Sequence, residues 1–175
     1  MSAFYFHCGS LNLYRYTTAK YLRQRIENPL SGYHAVCMTK PELYNFIAAQ
    51  KLGVLGSISP DDTPQAALVG IAVTQDLEII FDTVGSSREY RNLTANPRAS
   101  FVIGWTGEVT LQLEGEAFLP QGDALVRYKN VYFAKWPDGP GRQSWPGISY
   151  FVVRPIWIRY SDCDRNPPFI EEFTF

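Results

Sequence analysis

The residues best suited to chemistry sit together in Gly85–Ser86–Ser87–Arg88, where a strand-like run, Phe81–Val84, hands over to a helix-like one. A helix start leaves backbone N–H groups without partners, and its dipole favours an anion there. Gly85 lets the backbone approach a ligand closely, Ser86 and Ser87 bring hydroxyl donors, and Arg88 brings a forked, charge-assisted partner for phosphate oxygens. The pattern suits a phosphomonoester at a helix N-terminus. It also has a ligand-free reading. Ser86 and Glu89 have the S-x-x-E spacing of a capping box, which would satisfy the same helix start from within the chain.

Other chemistries are limited by what the chain lacks. His7 and His34 are its two histidines, so a Ser/His/Asp or Cys/His nucleophile after position 34 has no imidazole base, and a zinc site loses its usual nitrogen ligand. Cys8, Cys37 and Cys163 show no CxxC pairing; each reads as a small buried apolar residue in a reducing, cytoplasmic compartment. The net charge of −1 supplies no field for nucleic acid or an anionic membrane, and no apolar run approaches the roughly 20 residues of a membrane helix. With 46% hydrophobic and 19% charged residues, the chain is long enough and apolar enough for one packed domain.

The elements that must carry the turn follow from periodicity. Residues 1–37 hold Arg15, Lys20, Arg23 and Arg25 against a single acid, Glu27, with a candidate short helix over Thr17–Ile26. This stretch reads as an ordered arm, a basic targeting segment or an upstream extension, and the functional domain is expected over 38–175, beginning at Met38. There, Thr39, Pro41 and Glu42 form a helix-start signature. Helices are expected at Glu42–Lys51, Ser87–Thr94 and Asp123–Lys135. Strands are expected at Leu52–Ser59, Gln65–Val73, Leu77–Thr83, Ala99–Trp105, Glu108–Leu119 and Ile148–Tyr160. Hairpin-linked strands with helices at the ends predict a mainly β fold with helices (α+β), a six-stranded antiparallel barrel.

Gly85–Ser86–Ser87–Arg88, followed after eight residues by Pro97–Arg98–Ala99–Ser100–Phe101, resembles the signature of the pyridoxamine 5′-phosphate oxidase-like, FMN-binding split-barrel family. Gly53–Ile58, Pro64–Val69 and Glu114–Ala117 are similar to further landmarks of that family, in the same order. The resemblance implies a homodimeric split barrel that binds FMN. Backbone groups of Ala67, Leu68 and Val69 would run along the isoalloxazine edge, Asp82 and Thr83 would lie near the ribityl chain and ring, and Ser86, Ser87 and Arg88 would hold the phosphate. Trp105 and Thr110 of a second subunit would close the pocket, although Trp105 reads equally well as a packing aromatic. Two positions depart from the pattern: Glu89 stands where the family has lysine, and Thr110 where the oxidases proper carry glutamine.

The implied activity is an oxidoreductase acting on a small molecule, with a non-catalytic flavin or deazaflavin binder as the alternative and haem binding as a third possibility. Oxidation of vitamin B6 is not expected, because Tyr160–Pro168 lacks the family's substrate-binding histidine. The aromatic run Tyr128, Tyr132, Phe133, Trp136, Trp145, Tyr150 and Trp157 reads as packing or as the wall of a planar-substrate pocket. Residues 136–142 read as a lid whose Arg142 meets an anionic substrate.

Overall fold

A computed structural model describes residues 37–175; Cys8, both histidines and the candidate helix Thr17–Ile26 lie outside them. The elements run α1 (Lys40–Ala49), β1 (Leu52–Ile58), β2 (Pro64–Val73), β3 (Ile79–Val84), α2 (Arg88–Ala95), β4 (Arg98–Ile103), β5 (Val109–Phe118), α3 (Gly122–Lys135), α4 (Gly139–Arg142), β6 (Ile148–Asp162) and β7 (Phe169–Thr174). The strands form one antiparallel sheet in the order β3-β2-β1-β4-β5-β6-β7, and pairing of β3 with β6 closes the first six into a barrel. The expected six-stranded antiparallel barrel is present. No helix among the described residues is long and apolar enough to cross a membrane.

Strict alternation builds the core. Ala99, Phe101 and Ile103 of β4 and Leu111, Leu113 and Ala117 of β5 face inward, whereas Gln112, Glu114 and Glu116 face out. Inside, Phe81 stacks on Phe151 with centroids 5.6 Å apart and meets Phe101 edge-on at 6.0 Å. Helix α1 adds the buried Leu43 and Ile47 to this core. It starts as expected: Thr39 caps it, accepting from Glu42 N–H, and the Glu42 carboxylate returns to Thr39 N–H at 2.7 Å.

The 15 residues of β6 hold the barrel together. One edge pairs with β5 through a bulge at Glu114/Gly115, beside Pro155 and Ile156. Gly115 is required at that bulge, because a Cβ there would lie 2.2 Å from the Arg154 carbonyl oxygen. The other edge of β6 pairs first with β3, over Ile148–Val153, and then with β7, over Trp157–Asp162. Strand β7 was not expected from the sequence. Its Phe169 and Phe173 pack on the core, while Glu171 accepts from Met38 N–H at 2.6 Å.

Three further expectations are corrected. The third strand starts at Ile79 rather than Leu77, because Leu77 N–H closes a turn onto the Thr74 carbonyl with a φ of 65° and a fully buried side chain. Residues 136–142, read as a lid, are not wholly loop, since α4 lies within them. Cys37 and Cys163 are exposed rather than buried; the Cys37 thiol donates to Glu171 at 2.8 Å.

Candidate functional site

Strands β2 and β3 pair only over three residues, from Ile71↔Phe81 to Val73↔Ile79. Continuing that register would set Gly70 opposite Asp82 and Val69 opposite Thr83, and neither pair forms. The barrel splits here. From Ala67 to Val69, β2 keeps its bonds to β1, and from Asp82 to Val84, β3 keeps its bonds to β6. The two edges that part from one another therefore carry backbone N–H and C=O groups with no strand partner across the gap. Ala67, Leu68 and Val69 stand on one lip, and Asp82 and Thr83 on the other.

Helix α2 continues from the β3 lip and is clamped back across the split. Buried Asn92 donates from Nδ2 to Ser57 Oγ of β1 at 3.0 Å and to Gln65 Oε1 of β2 at 2.9 Å. Both amide protons are satisfied in a site where an unpaired polar group would be costly. The turn leading into α2 is tied at its base: Gly85 N–H donates to the Gly147 carbonyl at 2.8 Å, and Ser87 N–H to the Val84 carbonyl at 2.9 Å.

The cap of α2 is Ser87, whose Oγ accepts from Tyr90 N–H at 3.1 Å; the anticipated Ser86–Glu89 capping box does not form. The Val84–Ser87 turn gives Ser87 the extended φ of −71° and ψ of 161°, so the helix begins one residue later and Glu89 falls at N2. There its carboxylate folds onto the end of β3 and accepts from Thr83 Oγ1 at 2.6 Å. Thr83 Oγ1 also lies 2.9 Å from Ser87 Oγ. Ser86 and Arg88 are exposed, and among the described residues Arg88 makes no ion pair.

Asp82 and Thr83 do not share a face, because neighbouring strand residues point to opposite sides of the sheet. The Asp82 side chain enters the layer between the barrel and α3. It accepts from Tyr132 OH at 2.7 Å and lies 3.3 Å from Arg142 Nε. Arg142 is thus turned inward, its guanidinium 5.8 Å from the ring centroids of both Tyr132 and Trp136, rather than presented to a substrate. Trp136 Nε1–H donates to the Ile71 carbonyl at 3.0 Å. Tyr132, Phe133 and Tyr150 meet edge to face, so this part of the aromatic run is packing. Burial, with Asp82 nearby, pushes the Tyr132 and Tyr150 hydroxyls above the usual phenol range.

Trp105 is exposed on the β4–β5 connection and Thr110 is half-buried on β5. Strand β1 stands between β4 and β2, so the two residues do not line the split of their own chain. The outer sheet face carries a row of exposed apolar side chains. Leu68 is 61% exposed and Val102 41%, and both are register partners of Val54 between them. A groove of about 350 Å³ continues this face past Ser100, Glu114 and Ile156.

Residues 39–162 match the sequence model of pyridoxamine 5′-phosphate oxidase. The chain belongs to that family. No curated protein matches it in sequence. Among solved structures it is similar to a haem-binding protein from Mycobacterium smegmatis, with a TM-score of 0.68 and 22% identity over 79% of this chain. The chain spans 59% of that protein's length. It is similar to the General Stress Protein 26 from Bacillus anthracis, with a TM-score of 0.58 and 20% identity over 77% of this chain and 98% of the other. It is also similar to the haem storage protein HutZ from Vibrio cholerae, with a TM-score of 0.59 and 14% identity over 77% of this chain and 92% of the other. At these identities the three structures share its fold.

Proposed function

We propose that this family member binds FMN along the split between β2 and β3, within a homodimer, and works as an oxidoreductase on a small molecule. The observation that carries the reading is the pair of parted strand edges, with the Gly85–Arg88 turn at the end of one of them. Those edges offer alternating donors and acceptors for the polar rim of an isoalloxazine ring, with Ala67, Leu68 and Val69 on one side and the backbone of Asp82 and Thr83 on the other. The turn Ser86–Ser87–Arg88 would receive the phosphate, and Arg88 forms no ion pair among the described residues. When bound, FMN supplies the electron-transfer chemistry, and the chain supplies position, access and local field.

The exposed Leu68 and Val102, flanking half-buried Val54, support the dimer. Covering it with a second copy removes apolar surface from water and brings that copy's Trp105 and Thr110 within reach of the pocket. A flavin or deazaflavin carrier without turnover uses the same contacts. Haem suits the described residues less well, since the common imidazole ligand is absent from all of 37–175.

The test is the visible spectrum of the purified protein, followed by FMN titration of wild type and Arg88→Ala. Flavin bands, one FMN per protomer and at least tenfold weaker binding in the variant are expected. Bleaching by NAD(P)H distinguishes an enzyme from a carrier. A colourless protein that takes up no FMN removes the reading.

A further inference from the structure

The turn that would hold the phosphate already holds an anion of its own. We propose that Glu89 is the specificity-determining residue of the site: its carboxylate takes up the hydroxyl donors of the turn, so that the pocket selects the flavin ring and discriminates against its phosphomonoester tail. This rests on the flavin reading for the identity of the ligand, but not for the behaviour of the turn towards phosphate.

Hydroxyl protons decide the matter. Thr83 is 8% exposed, and its single hydroxyl proton has two acceptors in range, Glu89 Oε1 at 2.6 Å and Ser87 Oγ at 2.9 Å. The shorter distance is that of a charge-assisted hydrogen bond to a carboxylate, so the proton goes to Glu89. Ser87 then directs its own proton to Thr83 Oγ1, while its oxygen accepts Tyr90 N–H at 3.1 Å. The chain Ser87→Thr83→Glu89 ends on the carboxylate and leaves neither hydroxyl proton for an incoming oxyanion.

Glu89 is also seated at N2, where the helix dipole favours the negative charge that a phosphate would otherwise bring. Among the described residues no cation pairs with it. Arg88 and Arg91 are exposed, and neither forms an ion pair with Glu89 among the described residues. A phosphate dianion arriving at Arg88 therefore meets a fixed like charge on the adjacent residue. Arg88, the Ser86 hydroxyl and the first backbone N–H groups of α2 remain as its donors, which leaves weak binding rather than none.

Glu89→Gln keeps the size of the side chain and removes its charge, and Glu89→Ala serves as a second variant if the first folds poorly. Inorganic phosphate is titrated into each protein while the backbone amide signals of Ser86 to Glu89 are followed by NMR. Separately, FMN and riboflavin affinities are measured by fluorescence quenching. The expected result is phosphate binding at least tenfold tighter in Glu89→Gln than in wild type. A matching tenfold rise in the FMN-to-riboflavin affinity ratio is expected. A variant that takes up phosphate no better than wild type, including not at all, overturns the proposal, as does an unchanged affinity ratio with both flavins bound. Tighter phosphate binding without uptake of either flavin leaves Glu89 in this role and removes the flavin reading alone.

Discussion

The Tyr132 hydroxyl donates to Asp82 Oδ1 at 2.7 Å, and this bond sets which way the end of β3 faces. With Asp82 drawn towards α3 and Arg142, the next residue, Thr83, turns to the opposite side and meets Ser87 and Glu89. A contact in the helical layer thereby orients the Thr83 hydroxyl that joins Ser87 to Glu89. Tyr132→Phe removes the donor and leaves a largely buried carboxylate oxygen unpaired, which costs about 1.5–3 kcal/mol. Urea denaturation should show this as a lower midpoint with an unchanged slope. A midpoint equal to that of wild type would mean that Asp82 is held by other groups.

Alkaline stability tests the same layer, and with it the packing of Tyr160 against Phe46 and Phe169. Burial, as the leading cause, raises the Tyr128, Tyr132, Tyr150 and Tyr160 hydroxyls above the usual phenol range; nearby carboxylates (Glu78, Asp82, Asp82 and Asp162, respectively) add to it. Below a pH of about 10 the folded and unfolded chains both keep these protons, and the stabilisation is complete. Above it the unfolded chain releases protons that the folded one retains, so stability falls as pH rises. Absorbance at 295 nm should therefore show these tyrosines ionising together with unfolding. Gradual ionisation of every tyrosine near the ordinary value, with circular dichroism unchanged, would contradict the burial.

Asn92 is the clamp between α2 and the two strands it crosses. Asn92→Ala leaves Ser57 Oγ and Gln65 Oε1 without their shared donor, at a cost of roughly 1–3 kcal/mol in stability. Because Ser87 and Arg88 begin the same helix, FMN affinity should fall in this variant as well, although neither flavin nor phosphate touches Asn92 in the proposed arrangement. Unchanged FMN affinity together with the stability loss would show that the turn is held by Gly85–Gly147 and Ser87–Val84 alone.

The proposed dimer face is tested by Leu68→Lys. Two lysines brought against an apolar face lose hydration without gaining a partner, so the variant should elute as a monomer and bind FMN more weakly. A dimer of wild-type affinity in that variant would place the interface elsewhere.

Much of the barrel was legible in the sequence because its strands alternate and its turns are marked. Val109, Leu111 and Leu113 declared a two-sided strand, and Thr39 with Glu42 declared a helix start, before any tertiary contact was considered. Strand β7 was hidden because its outward residues, Ile170 among them, do not contrast in polarity with Phe169, Glu171 and Phe173 on its inward side. The turn Gly85–Arg88 was legible as a unit, but its internal roles were not. S-x-x-E spacing selects Ser86 as the cap, whereas the Val84–Ser87 turn moves the cap to Ser87. The facing of Asp82 was not legible either, since it depends on Tyr132, 50 residues further along the chain. Arg142, apparently on a free loop, is in fact held by a side chain on β3.

Hydrogen–deuterium exchange with and without FMN tests the proposed location most directly, because the parted strand edges carry amides without a strand partner across the gap. Slowed exchange on FMN addition, concentrated at Ala67 to Val69 and Asp82 to Arg88, is the predicted result. Flavin binding that leaves these two segments unprotected, or protects a different part of the barrel, would contradict it.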